Sequence, residues 1–110
     1  MSVIMRELGR DIPYYPRLGK ALGGAGEAIF LQYLIYCPPD HPGGWICKTQ
    51  VEIEKETGLT HERQMTIRKK LRTLGILEER YERLAHRKYY RVSDEEFRRF
   101  WGEFLKKEEG

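Results

Sequence analysis

Residues 49–77 read TQVEIEKETGLTHERQMTIRKKLRTLGIL, and the fold turns on this stretch. Thr49 with Glu52 three residues later is a capping box, so a helix opens there. Val51 and Ile53 are its apolar residues, and Gly58 ends it. Gly58 permits a sharp reversal, Leu59 is placed to plug the gap between two helices, and Thr60 caps the second. That second helix is predicted from His61 to Leu74, with Ile67, Leu71 and Leu74 on one stripe and Gly75 at its end.

Downstream the hydrophobic period changes from helical to alternating. Ile76 to Tyr81 reads as a strand, Lys88 to Val92 as a second, and residues 82–87 as the hairpin tip between them. Ser93 with Glu96 is another capping box, opening a last helix with Phe97, Phe100, Trp101, Phe104 and Leu105 at helical spacing. Upstream, Ile12-Pro13-Tyr14-Tyr15-Pro16 is an extended lead-in, and a short helix runs from Pro16 to the Gly23-Gly24 pair. The next helix, Ala25 to Tyr36, is apolar nearly all round, as a central buried helix is. Pro38-Pro39 stops it, and Trp45-Ile46-Cys47 is a short strand. The expected fold class is mainly α with a small β-hairpin (α+β): a helix-turn-helix followed by a wing, on a three-helix core with extra N- and C-terminal helices. Residues 1–24 are the lead-in and short helix, 25–92 the winged helix-turn-helix, and 93–110 the C-terminal amphipathic helix, all in one compact domain.

A length of 110 residues suits one domain with its own core. Charged residues at 34% and hydrophobic ones at 40% describe a globular chain, and no apolar run approaches a membrane span. The start, Met-Ser-Val-Ile-Met-Arg-Glu, lacks the pattern of a secretion signal, and two cysteines without one suggest free thiols in a reducing cytoplasm. The net charge of +3 is uneven. Residues 1–60 hold 6 basic and 7 acidic side chains, residues 61–91 hold 10 and 4, and residues 92–110 hold 4 and 6. Half of all Lys and Arg therefore fall on the second helix and the hairpin, where a small protein would attract a polyanion.

The segments IPYYPRLGKALG, EAIFLQYLIY, GWICKTQVEIEKETGLT, RQMTIRKKLRTLGILEE and RKYYRV, within residues 12–92, resemble winged helix-turn-helix domains. The lead-in and EAIFLQYL resemble, more narrowly, those of phage and prophage replication-initiation proteins. That resemblance implies binding of double-stranded DNA, in replication initiation or transcriptional regulation, in the cytoplasm at the nucleoid. Members of that group carry basic residues just after the cap, where this chain has His61-Glu62.

Helical geometry makes the expectation residue-specific. With Ile67 at the centre of the buried stripe, Met65 and Lys69 fall nearly opposite, with His61, Glu62 and Arg72 beside them and Thr66 and Arg68 at the edges. In a major groove, Thr60, His61, Glu62, Met65, Thr66 and Lys69 would point at bases, because the helix start reaches base edges. Glu62 suits a cytosine amino group, and Met65 or Thr66 a thymine methyl. Arg68 and Arg72 are expected on phosphates. Arg83, Arg87 and Lys88, assigned to the tip, are expected on backbone or minor groove, and Lys48, Thr49 and Gln50 on a phosphate at the start of the first helix.

Other readings carry less. Cys37, His41 and Cys47 lack the paired spacing of a zinc site, so no metal or cofactor is expected. There is no Gly-rich phosphate loop, nucleophile elbow or His-Glu-x-x-His, so no enzyme is expected. Phe97, Phe100, Trp101, Phe104 and Leu105 either pack on the domain or form a homodimer contact. A protein-interaction adaptor of the same fold without DNA binding, with a replication or transcription protein as partner, is the alternative kept open by Glu62 and the acidic residues at 52–56 and 94–96.

Overall fold

The computed structural model describes residues 7–9 and 11–109. The reading of the amino-terminal residues 1–6 lies outside them. Among the described residues, five helices and a three-stranded antiparallel sheet form an α+β fold. In chain order they are α1 (Pro16–Leu22), α2 (Ala25–Tyr36), β1 (Ile46–Cys47), α3 (Gln50–Thr57), α4 (His61–Thr73), β2 (Leu77–Glu82), β3 (Arg87–Val92) and α5 (Asp94–Glu109).

α2 is the centre. It packs against α1, α3, α4 and β3, and it buries Ala28, Phe30, Leu31, Tyr33 and Leu34. Its near-uniform apolarity follows from having neighbours on most sides. Leu18 and Leu22 of α1, Ile53 of α3, Ile67 and Leu71 of α4, and Ile76, Leu77 and Tyr90 complete the core. The ring of Phe30 meets that of Tyr90 edge-on at 6.3 Å.

Caps set the helix limits. The Thr49 hydroxyl accepts from Glu52 N–H at 3.0 Å, and the Glu52 carboxylate accepts from Thr49 N–H at 3.1 Å, which completes the expected capping box. Gly58 ends α3 with φ +80°, and its N–H donates to the Glu54 carbonyl at 2.7 Å. Gly58-Leu59-Thr60 then reverses the chain, with Leu59 half-buried against the core and Thr60 capping α4 through Arg63 N–H. α4 stops at Thr73, one residue before the expected Leu74, and Gly75 (φ +80°) turns the chain into β2.

The sheet order is β1-β3-β2. β2 and β3 pair from Leu77↔Val92 to Glu82↔Arg87, whereas β1 adds only Ile46↔Tyr90 and Cys47↔Tyr89. Four strand limits differ from the sequence reading. Ile76 is buried and precedes β2, because its N–H closes the turn onto the Leu71 carbonyl. Glu82 belongs to β2 and Arg87 to β3 by register, which shortens the tip to residues 83–86. Trp45 bridges to His41 rather than joining β1. Val51 is 76% exposed, because the eight-residue α3 turns only one apolar position, Ile53, inward.

α5 lies along the body with Phe97, Phe100 and Trp101 against the core. Its start is tied by Ser93, whose hydroxyl accepts from Glu96 N–H at 3.3 Å. Cys37 is buried, Cys47 half-buried, and both are free thiols. No helix among the described residues is long and apolar enough to cross a membrane.

Candidate nucleic-acid interface

The site is built from α4 and the β2–β3 hairpin. α4 turns Gln64, Ile67, Arg68 and Leu71 inward. The other side presents His61, Glu62, Met65, Thr66, Lys69 and Arg72 to solvent, as the helical spacing requires. Met65 is 50% exposed, a large apolar side chain amid polar ones. The Thr66 hydroxyl donates back to the Glu62 carbonyl at 3.2 Å, and the Thr73 hydroxyl to that of Lys69 at 2.9 Å.

The turn that sets α4 against α3 is held by one buried amide. Gln64 Nε2 donates to the Gln50 carbonyl at 3.1 Å and to the Leu59 carbonyl at 2.9 Å. One side chain on α4 thus satisfies carbonyls at the start of α3 and in the turn.

Arg68 departs from the expected phosphate role. It is 5% exposed, and its Nη1 donates to Glu79 Oε1 at 3.1 Å and to the Tyr90 hydroxyl at 3.2 Å. The sheet covers the edge of α4 on which Arg68 lies, so a solvated guanidinium there was the wrong expectation. Burial pushes the Tyr90 phenol above its ordinary range, and the Arg68 charge pulls it part of the way back.

Glu79 collects further cations. Arg72 donates to Glu79 Oε2, and Lys88 Nζ lies 3.6 Å from Oε1. Arg68, Arg72 and Lys88, three of the expected DNA contacts, therefore converge on one carboxylate whose side chain is 10% exposed. Lys88 is half-buried beside it rather than at a tip. The sequence signal for this hub was present but unread. Arg68 and Arg72 are one turn apart on α4, and Glu79 shares the inward parity of Leu77 on β2.

A second carboxylate holds the opposite flank. Glu27 of α2 is buried and lies 3.4 Å from both Arg63 Nη2 and Lys70 Nζ. Of the five cations on α4, Lys69 alone has no carboxylate within ion-pair distance among the described residues. It sits on the exposed face, one turn from Met65. On the hairpin, Arg83 and Arg87 are exposed and likewise have no carboxylate partner among the described residues.

The outer face of the sheet is occupied differently. The Arg80 guanidinium lies between the Trp45 ring at 5.0 Å and the Tyr89 ring at 4.7 Å, and that of Arg91 lies 4.3 Å over Trp45. Arg91 also donates to both oxygens of Glu78, which holds its guanidinium more firmly charged. These two arginines brace the 41–45 loop against the sheet.

At the start of α3 the expected phosphate contacts have internal partners. Lys48 Nζ lies 3.7 Å from Glu56, and the Thr49 side chain and backbone are used by the capping box. Gln50 accepts through its carbonyl from Gln64. A cleft of about 390 Å³ separates this segment from Tyr81, His86, Arg87 and Lys88 of the hairpin.

Of the candidate contact helix α5, Phe97, Phe100 and Trp101 pack inward, while Phe104 stacks on Trp101 at 5.2 Å. Phe104 and Leu105 are half-buried and do not join the core. No cluster of His, Cys, Asp or Glu among the described residues is arranged to hold a metal ion. Comparison of the chain with family models, curated proteins and solved structures found no match.

Proposed function

We propose that the protein is a winged helix-turn-helix domain that binds double-stranded DNA, with α4 in the major groove and the β2–β3 hairpin on the backbone or minor groove. The observation that carries this reading is the set of cations on α4 and the adjoining hairpin: Lys69 without an ion pair among the described residues, Arg72 and Lys88 together at Glu79, and Arg83 and Arg87 exposed on the hairpin. Three cations around one carboxylate leave a surplus of positive charge, so the Glu79 hub does not neutralise the surface. An α-helix fits a major groove, and the α4 start offers Thr60, His61, Glu62, Met65 and Thr66 to base edges.

The resemblance of the lead-in and central helix supports a setting in phage or prophage replication initiation or transcriptional regulation, in the cytoplasm at the nucleoid, without enzymatic activity. Phe104 and Leu105 on α5 support a homodimer contact, which would set two α4 helices about one DNA turn apart. The same residues, with Glu62 exposed at the start of α4, favour the second reading, an adaptor that binds a replication or transcription protein and no DNA.

Lys69→Glu separates the two. Lys69 is exposed and makes no ion pair among the described residues, so the variant is expected to fold as the parent does. DNA contact requires an affinity loss of at least about tenfold for a random duplex, through charge reversal inside a polyanionic groove. Binding equal to the parent's removes α4 from the groove.

A further inference from the structure

The tip of the hairpin is built in an unusual way. It reads Arg83-Leu84-Ala85-His86, without the Gly, Asn or Asp that tight turns prefer. Among the described residues His86 is the one non-glycine with positive φ, at +50°. That conformation disfavours a residue with a Cβ, and such strain persists where the surroundings or a function hold it. Leu84 is 97% exposed. Single exposed leucines on a broad surface are ordinary. This one stands at the apex of a projection. β1 reaches only as far as Tyr89, so the Tyr81↔Lys88 and Glu82↔Arg87 pairs and the tip extend as two strands beyond the third. The tip is also braced, with the Tyr81 hydroxyl and His86 Nδ1 3.4 Å apart. Arg83 and Arg87 flank it.

An apolar side chain at the apex of a cation-flanked projection has the chemistry of a wedge. Cations draw the tip to phosphates, and the leucine gains by leaving water for the stacked faces of bases. We propose that Leu84 inserts between base pairs from the minor groove and kinks the duplex, with preference for easily unstacked pyrimidine–purine steps. The proposal rests on the DNA-binding reading above and adds a deforming activity to it.

The test uses the full chain and a duplex of about 30 base pairs, labelled at its ends with a donor and an acceptor and carrying 2-aminopurine beside a central TA step. The parent protein should raise both energy transfer and 2-aminopurine fluorescence on binding. Leu84→Ala, at a position that supports no packing, should lose both rises while anisotropy still reports binding weakened less than about tenfold, with an unchanged salt slope. A parent that binds without either rise, or a Leu84→Ala variant that deforms the duplex as the parent does, overturns the wedge and leaves DNA binding standing. A parent that shows no anisotropy change at low salt overturns both.

Discussion

Arg68 Nη1 stands 3.1 Å from Glu79 Oε1 and 3.2 Å from the Tyr90 hydroxyl, so α4, β2 and β3 meet at one guanidinium. Both charged partners are nearly enclosed, and an enclosed charge left without its partner keeps its desolvation cost. Glu79→Gln should therefore lower the unfolding free energy by about 3 kcal/mol, read as a lower urea midpoint. In the folded fraction it should tighten DNA binding at low salt, because Arg72 and Lys88 lose their carboxylate. An unchanged midpoint contradicts the structural role assigned to Glu79.

Gln64 fixes the angle between α3 and α4 through its bonds to the Gln50 and Leu59 carbonyls. Gln64→Leu keeps the volume near constant and removes the side-chain donor from two part-buried carbonyls, of which that of Leu59 loses its partner in the turn. Urea titration should give a loss of about 2 kcal/mol. A loss near zero would mean that water reaches the turn.

Gly58 offers a cleaner test of backbone strain. A Cβ there would meet nothing within 4 Å, so Gly58→Ala changes only the cost of φ +80°. The variant should lose about 1 kcal/mol and keep the parent's spectrum by circular dichroism. A stabilised variant would show that the turn can relax out of the left-handed region.

Two surface carboxylates give stability a pH dependence of defined sign. The hydrogen bond with His41 holds Asp40 below its ordinary range, and the hydrogen bond from Arg17 does the same for Glu108. A carboxyl depressed in the folded state stabilises above its unfolded pKa of about 4, and that contribution is lost as pH falls through the folded value. Asp40→Asn should therefore flatten the fall of the urea midpoint below about pH 4. An equally steep acid limb in the variant contradicts the assignment.

The helix, turn and helix were legible because local chemistry fixes them. The Thr49–Glu52 box, Gly58, the Thr60 cap and Gly75 act within a few residues of themselves. The exposed face of α4 was legible for the same reason, since 100° per residue places Met65 and Lys69 opposite Ile67. Arg68 was misread because its fate depends on β2 and β3, which lie 11 and 22 residues further along the chain at its partners Glu79 and Tyr90. Long-range pairing decides such edge positions, and periodicity within one helix carries no information about it. The membership of Glu82 in β2 and of Arg87 in β3 was missed similarly, because the ladder register that pairs the two sets it.

The measurement that tests the central claim most directly is fluorescence anisotropy of a labelled random duplex of about 30 base pairs, titrated with the protein across a series of salt concentrations. About five phosphate contacts, shared among the cations of α4 and the hairpin, set a log–log slope of affinity against salt near −4.5. The account predicts binding at low salt with that slope. No binding at low salt, or binding whose affinity ignores salt, would contradict it.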